Sequence, residues 1–496
     1  MSNSIQYFEK NGIPNLEKIT ESFMKFPLEF AEFVKGVRDE FMEIALKYAG
    51  DTLTSINNAF RNSTRRAREW EVVDTRLASK ITSLGTVKYE KTLFKSKTTG
   101  EYAYLVDSFL GFESHERLTE DALEEMLKEA VQTSYRRGGE AASIMDRVSK
   151  QTVKNHLHAL EFPSENESEK REKKRVVKKL FIEADEDHIH LQFKKRKGDL
   201  RANKLEKKLN GAIVKLVYVH EGIERVAPKS KRHRMINIHY FAGTYEDEKN
   251  KELWDEVYAY ILNNYDIDKI EKIYLNSDGG AWIKAGRKRL HGITHVLDEF
   301  HLRKKVLEMT RHVDGIGKED RVAMHALLDT IKRDTKEEFI SYVDMLLFHA
   351  SGNDTVWNRV RRGAEYILEN WMAAKVRLSQ RNKVCGSSTE GHVSHVLSRR
   401  MSTLPMGWSK HGADRMAHLR AYALNGGDML ELVRYQKTLD KLPKAAGAEN
   451  ITLSAAKIMS SEHVDLPEWA GYYEKIQVSV SESIRKKAYM ATFSVI

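Results

Sequence analysis

Residues 269–280, Lys-Ile-Glu-Lys-Ile-Tyr-Leu-Asn-Ser-Asp-Gly-Gly, decide how this chain is read. The run Ile270 to Asn276 is rich in β-branched and aromatic side chains and predicts a strand. It ends at Asp278, and Gly279-Gly280 let the backbone turn sharply and admit a close approach by another molecule. Taken alone, an aspartate after a strand is more often a turn residue than a functional one. What matters is what surrounds it.

Upstream, Leu180-Phe-Ile-Glu-Ala-Asp185-Glu-Asp-His-Ile-His-Leu-Gln-Phe193 reads as another strand. Glu183, Asp185 and Asp187 share one face of it, because side chains alternate along a strand. Further strands are predicted at 212–219 and 235–242, then a helix over 248–264 with Leu253, Val257, Tyr260 and Ile261 on one face. Downstream come a short helix near 281–288 and a strand at Thr294–Leu297, which runs into Asp298-Glu-Phe-His301. Three consecutive strands, a helix, a strand, a helix and a strand is the element order of an α/β ribonuclease H-like fold.

The core is therefore expected in two parts, 179–301 and 386–424, around an all-helical insertion at 302–385, where no strand signal occurs. Ahead of it we expect a helical N-terminal region at 1–75 and a β-hairpin at 76–115, turning at Lys97-Thr-Thr-Gly100. A helix-turn-helix DNA-binding segment follows at 116–162, and a highly charged linker at 163–178. In the second helix of that pair, Val153 and Leu157 should face inward. Lys150, Gln151, Lys154, Asn155 and His158 should face outward, where a recognition helix meets phosphates and base edges. A plain helical pair with a solvated polar face would read the same way. The C-terminal region, 425–496, carries no legible signal.

Composition narrows the class. At 496 residues the chain exceeds a single compact core. Lys and Arg number 82 against 72 Asp and Glu, a net charge of +10, which suits a polyanionic partner without requiring one. The single cysteine, Cys385, excludes an intramolecular disulfide and a cysteine zinc site, and suits a reducing cytoplasm. No apolar run of membrane-spanning length or secretory pattern is present, so no membrane partner is expected.

Glu390, in Gly386-Ser-Ser-Thr-Glu390, opens the helix that resumes after the insertion. Two strand-borne aspartates, Asp185 and Asp278, and a helix-start glutamate can converge at one edge of a sheet. Such an all-oxygen set suits two Mg²⁺ ions, with Mn²⁺ as a substitute, and two such ions drive in-line displacement at phosphorus. Singly, Glu390 is also what the dipole of a helix N-terminus favours. Asp298 and His301 form either a further ligand pair or a hydrogen-bonded structural pair.

Four segments together resemble a known family: Ile182-Glu-Ala-Asp-Glu-Asp-His188, Asn276-Ser-Asp-Gly-Gly-Ala-Trp-Ile283, Leu297-Asp-Glu-Phe-His301, and Gly386-Ser-Ser-Thr-Glu-Gly391 through Met406-Gly-Trp408. They resemble the bacterial ISLre-type insertion-sequence transposases, over most of the chain to about residue 425. The resemblance implies a DDE transposase with Asp185, Asp278 and Glu390 as its catalytic, metal-holding triad. Asp298-x-x-His301 is similar to the Cys/Asp-x-x-His signature of Mutator-like and hAT-like transposases. Glu186 departs from the glycine common after the first aspartate, which keeps Asp187 in contention with Asp185. The implied partners are double-stranded DNA, as transposon ends and target, and a second copy of the chain in a homodimer or higher oligomer. The implied location is the bacterial cytoplasm, at the nucleoid.

Lys194–Lys208 and Lys284–His291, including Arg287, Lys288 and Arg289, flank the expected catalytic edge and could hold phosphates. Trp282, Trp371 and Trp408 could stack on an unpaired base, although each is equally at home in a core. Two other function classes compete: a catalytically silent DNA-binding regulator with a dead core, and a plain metal-dependent DNA nuclease. A histidine-ligated hydrolase on His188 and His190 lacks an acidic third ligand at a suitable spacing.

Overall fold

The computed structural model describes residues 6–165, 173–193, 201–202, 208–246, 249–289, 292–314, 321–380, 384–385, 388–404, 406–441 and 445–460. They form two compact units: one of residues 1–127, 136–150 and 436–496, the other of 128–135 and 151–435. The segment 116–162 is thus divided between the two, its helices being Glu120–Ala130, Tyr135–Ala141 and Lys150–Ala159.

In the first unit, long helices (Ile13–Lys25 and Phe30–Asn62) precede an antiparallel sheet of β1 (Trp70–Ile81), β2 (Thr86–Ser96) and β3 (Tyr102–Tyr104), in that order. Helix gives way to strand at Glu69, earlier than the pattern suggested, because Val72, Val73 and Thr75 favour extended backbone and β1 pairs along most of β2. Asn57, fully buried on the long helix, ties it to the sheet: Thr92 N–H donates to its Oδ1 at 2.8 Å. The C-terminal helix Ala445–Met459 completes this core, setting Ala455 and Ile458 among Phe60, Trp70, Tyr89, Phe94 and Leu105.

The second unit is built on a five-stranded mixed sheet: β4 (Lys179–His190), β5 (Gly211–His220), β6 (His239–Gly243), β7 (Lys272–Ser277) and β8 (Ile293–Leu297). The order is β6-β5-β4-β7-β8. β5 runs antiparallel to both β4 and β6, whereas β7 and β8 run parallel to β4. β6 starts at His239 rather than 235, since Asn237 takes a left-handed φ of 50° and breaks the run. The residues ahead of that break pair instead in a short ribbon, Ile223–Arg225 with His233–Met235.

The crossover helix Asn250–Asn264 buries Leu253, Trp254, Val257 and Ile261 against Leu180, Ile182, Val217, Val219 and Leu275. The helix Ala281–Arg289 approaches it so closely at Gly286 that a Cβ there would meet the Trp254 ring at 2.1 Å. Five helices then follow: Glu299–Asp314, Val322–Arg333, Lys336–His349, Asp354–Glu369 and Trp371–Ser379. They share a core of Leu302, Val306, Leu327, Ile331, Phe339 and Ile367. A helical run over 389–401 and the helix Lys410–Leu424 return to the sheet. Among the described residues, no helix is long and apolar enough to cross a membrane.

Candidate carboxylate site at the strand ends

Parallel register brings three aspartates to one level. Ser277 on β7 lies opposite Ala184 on β4 and opposite Leu297 on β8. The next residue on each segment is acidic: Asp278, Asp185 and Asp298. Asp185 Oδ1 accepts the Glu186 N–H at 2.8 Å. Burial pushes its carboxyl up to about 6 and the charges of Asp278 and Asp298 add to this, while the Glu186 N–H and His301 oppose it.

Asp298 is 3 % exposed and caps the helix Glu299–Asp314, its Oδ1 accepting the His301 N–H at 2.9 Å. His301 Nδ1 lies 3.2 Å from the same oxygen. That hydrogen bond raises the pKa of the imidazole; burial opposes the rise, and the charges of Asp298, Asp185 and Asp278 reinforce it. The hydrogen-bonded form of the Asp298–His301 pair is therefore present.

Asp278 is set by its turn. Its Oδ1 accepts the Gly280 N–H at 2.9 Å, and its backbone carbonyl accepts the Tyr366 hydroxyl at 2.7 Å. Gly279 has φ +87°, and a Cβ there would stand 2.5 Å from Asn370 Oδ1. Glycine is required on both counts.

The three carboxylates on one face of β4 have separate fates. Glu183 is fully buried and accepts from the Tyr218 hydroxyl at 2.7 Å, the Ser388 N–H at 3.3 Å and Asn276 Nδ2 at 3.5 Å, with His220 Nε2 at 3.3 Å. Asp187 accepts the Ser402 hydroxyl at 2.8 Å. The charge of Asp278 acts on Asp185.

Glu390 stands apart from the aspartates. It is exposed in the first turn of the helix Thr389–Val393. Its neighbours anchor that turn: Ser388 N–H to Glu183, and the Thr389 hydroxyl to Asp298 Oδ2 at 3.3 Å. Among the described residues, no three His, Cys, Asp or Glu side chains are grouped so as to hold a metal ion.

Sequence reasoning missed Tyr366, Asn370 and Arg377 on the inserted helices. Arg377 is 1 % exposed, and its guanidinium donates to Leu297 O at 2.9 Å, Asn276 Oδ1 at 2.8 Å and Cys385 O at 3.0 Å. A signal existed, since Arg377 falls on the same helix face as the buried Ala373 and Ala374.

On the helix Lys150–Ala159, Lys150, Gln151, Lys154 and Asn155 are exposed, while Val153 and Leu157 are buried. His158 does not face outward: it is half-buried, with its ring against Tyr135 and His411. Trp408 also needs correcting. It is 6 % exposed, its indole N–H donates to Met401 O at 2.8 Å and Arg400 lies over its ring, so little surface is left for a base. Trp371 lies in the helical core, and Trp282 donates to Glu186 Oε2 at 2.7 Å. The side chains of Arg287, Lys288 and Arg289 and most of the basic stretch 194–208 lie outside the described residues, as do 166–172 of the expected linker.

Residues 24–438 match the uncharacterised protein family UPF0236. UPF0236 protein TTE2489 of Caldanaerobacter subterraneus subsp. tengcongensis is 33% identical over 427 residues, covering 85% of this chain and 85% of that protein. Another relative in that bacterium, whose name joins eleven TTE designations, is 32% identical over 426 residues and covers 85% of this chain and 84% of its own length. Among solved structures, the Drosophila P element transposase strand transfer complex matches 71% of this chain and 94% of its own at 8% identity, with a TM-score of 0.19, too low to bear on the fold. With more than four-fifths of its length matched, this chain belongs to the uncharacterised protein family UPF0236.

Proposed function

We propose that this protein is a DDE transposase of an insertion sequence, cutting DNA at the element's ends and joining those ends to a target. The observation that carries the reading is the common level of Asp185 and Asp278 at adjacent parallel strands of the β6-β5-β4-β7-β8 sheet. We read that sheet as a ribonuclease H-like core, because three antiparallel strands followed by two parallel ones suit its element order. A basic chain of net charge +10 suits a DNA partner. The eleven designations of one relative in a single bacterium suit a gene that multiplies by moving.

The donors fit a hard divalent cation: they are carboxylate oxygens, and two or three suffice when water completes the shell. The crowding of Asp185 by Asp278 and Asp298 is what a cation would relieve. Asp185 and Asp278 would hold Mg²⁺ or Mn²⁺, with Glu390 as the third ligand once its side chain turns from solvent toward them. Two such ions, when bound, activate an attacking water or 3′-hydroxyl and stabilise the leaving oxygen. Around them, Asp298 orients His301 through its hydrogen bond to Nδ1, which also favours the protonated imidazole. No covalent enzyme–DNA bond is needed, so no nucleophilic side chain is assigned. Bringing two DNA ends together calls for at least a dimer.

The test is cleavage of a supercoiled plasmid carrying the DNA that flanks the gene, with Mg²⁺ or Mn²⁺, by wild type and Asp278→Ala. Metal-dependent breaks at the element boundary, lost in the variant while DNA binding persists, support the reading. Joined products from pre-cut ends separate a transposase from a plain nuclease. The outward Glu390 favours one rival, a catalytically silent DNA-binding protein. Binding without cleavage by wild type would establish that rival instead.

A further inference from the structure

The helical insertion reaches the strand ends at three places. Tyr366, on the helix Asp354–Glu369, donates its hydroxyl to the backbone carbonyl of Asp278 at 2.7 Å. β7 has ended by then, so the sheet gives this carbonyl no ladder partner. The bond fixes the peptide that follows Asp278, and with it the direction in which that aspartate leaves its backbone. Asn370, one turn further on, occupies the space a side chain on residue 279 would take.

Arg377, on the helix Trp371–Ser379, binds three different segments. Asn276 is two residues before Asp278, Leu297 is immediately before Asp298, and Cys385 is five residues before Glu390. All three acceptors are neutral carbonyl oxygens, one a side-chain amide and two backbone. One planar guanidinium thus ties together the segments that carry Asp278, Asp298 and Glu390, a fixed-fork geometry that lysine does not reproduce.

We propose that Tyr366 and Arg377 are positioning residues for the carboxylate site, so that the helical insertion sets the geometry in which Asp278 and the Glu390 segment meet a divalent cation beside Asp185, with Asp298 held in place next to them. The proposal rests on the metal-binding reading above. Groups that orient a ligand from outside its shell change metal affinity by about 10–100-fold when removed.

The experiment is Mn²⁺ binding to the full-length protein, followed by the electron paramagnetic resonance of free Mn²⁺, alongside DNA affinity and melting temperature. Tyr366→Phe removes one oxygen atom from a residue that packs mainly through its ring. We expect its Mn²⁺ dissociation constant to rise about ten-fold, with DNA affinity unchanged and the melting temperature lowered only by the small amount that one lost hydrogen bond costs. Arg377→Lys is the second variant, and Mn²⁺ affinity should fall in it while DNA affinity holds. Wild-type Mn²⁺ affinity in Tyr366→Phe, when Asp278→Ala has lost binding, overturns the positioning role and leaves the metal site standing. Wild-type affinity in Asp278→Ala, or no Mn²⁺ uptake by the wild type, overturns the metal site itself.

Discussion

Thr389 donates its hydroxyl to Asp298 Oδ2 across 3.3 Å, and both residues are buried. The residue that follows is Glu390, so this bond and the one from Ser388 N–H to Glu183 fix the turn from which the third candidate acid projects into solvent. Thr389→Val keeps the shape and deletes the donor. It should cost about 1 kcal/mol of stability, the net worth of one hydrogen bond. Metal-dependent cleavage should drop about ten-fold, and Thr389→Ser should restore it. Unchanged cleavage rates in the valine variant would detach the Glu390 helix from the site.

Asp185 gives a prediction in pH. Its carboxyl titrates at about 6 in the folded protein, above the ordinary aspartate value, because it is buried beside other acids. Between the two values the native state binds more protons than the unfolded chain, so stability falls as pH rises through this window. By pH 7 the accumulated loss is on the order of 3 kcal/mol. Asp185→Asn carries no charge there. It should melt higher than wild type at pH 7.5 and equally at pH 4. Mg²⁺ or Mn²⁺ should raise the melting temperature of wild type alone, and less so as pH falls below 6. An asparagine variant with no stability gain at pH 7.5 would show that Asp185 is not crowded.

How much of this could be read from the chain depends on the range of the contacts. Asp278 was legible because everything that marks it is local: an apolar strand, then two glycines, one of them with the positive φ its position demands. The five strands were legible for the same reason, apart from the start of β6, where a single left-handed Asn237 outweighs the strand-like pattern around it. Glu183, Asp185 and Asp187 looked alike because alternation places all three on one face. Only partners from β5, β7 and the Ser388 turn make Glu183 a buried anchor. Tyr366 and Arg377 were hidden by distance, their acceptors lying 88 and up to 101 residues away along the chain. The helix Ala445–Met459 was opaque for that reason too, since its core partners begin at Phe60.

Glu183 should be a stability residue first. Replacing it with leucine leaves the Tyr218 hydroxyl without this acceptor, inside a fully buried cluster that also holds His220. The expected cost is about 3 kcal/mol or more, measured by urea unfolding. Glu183→Gln keeps an acceptor and should cost markedly less. Equal stability of the leucine variant and wild type would mean that this network does not hold the Ser388 turn.

The exposed face of the helix Lys150–Ala159 can be tested apart from the carboxylates. If Lys150 and Lys154 contact phosphates, each releases bound counterions on binding. Replacing each by alanine should then flatten the log–log dependence of affinity on salt by about one unit. Gln151 and Asn155 bond to each other at 2.8 Å, Gln151 as donor, and present amides suited to base edges. Alanine at either should leave the salt slope alone and reduce the preference for the element's own ends, by about 1–3 kcal/mol per lost base contact. A salt slope unmoved by the double lysine variant would make this helix a solvated surface, with DNA held elsewhere on the protein.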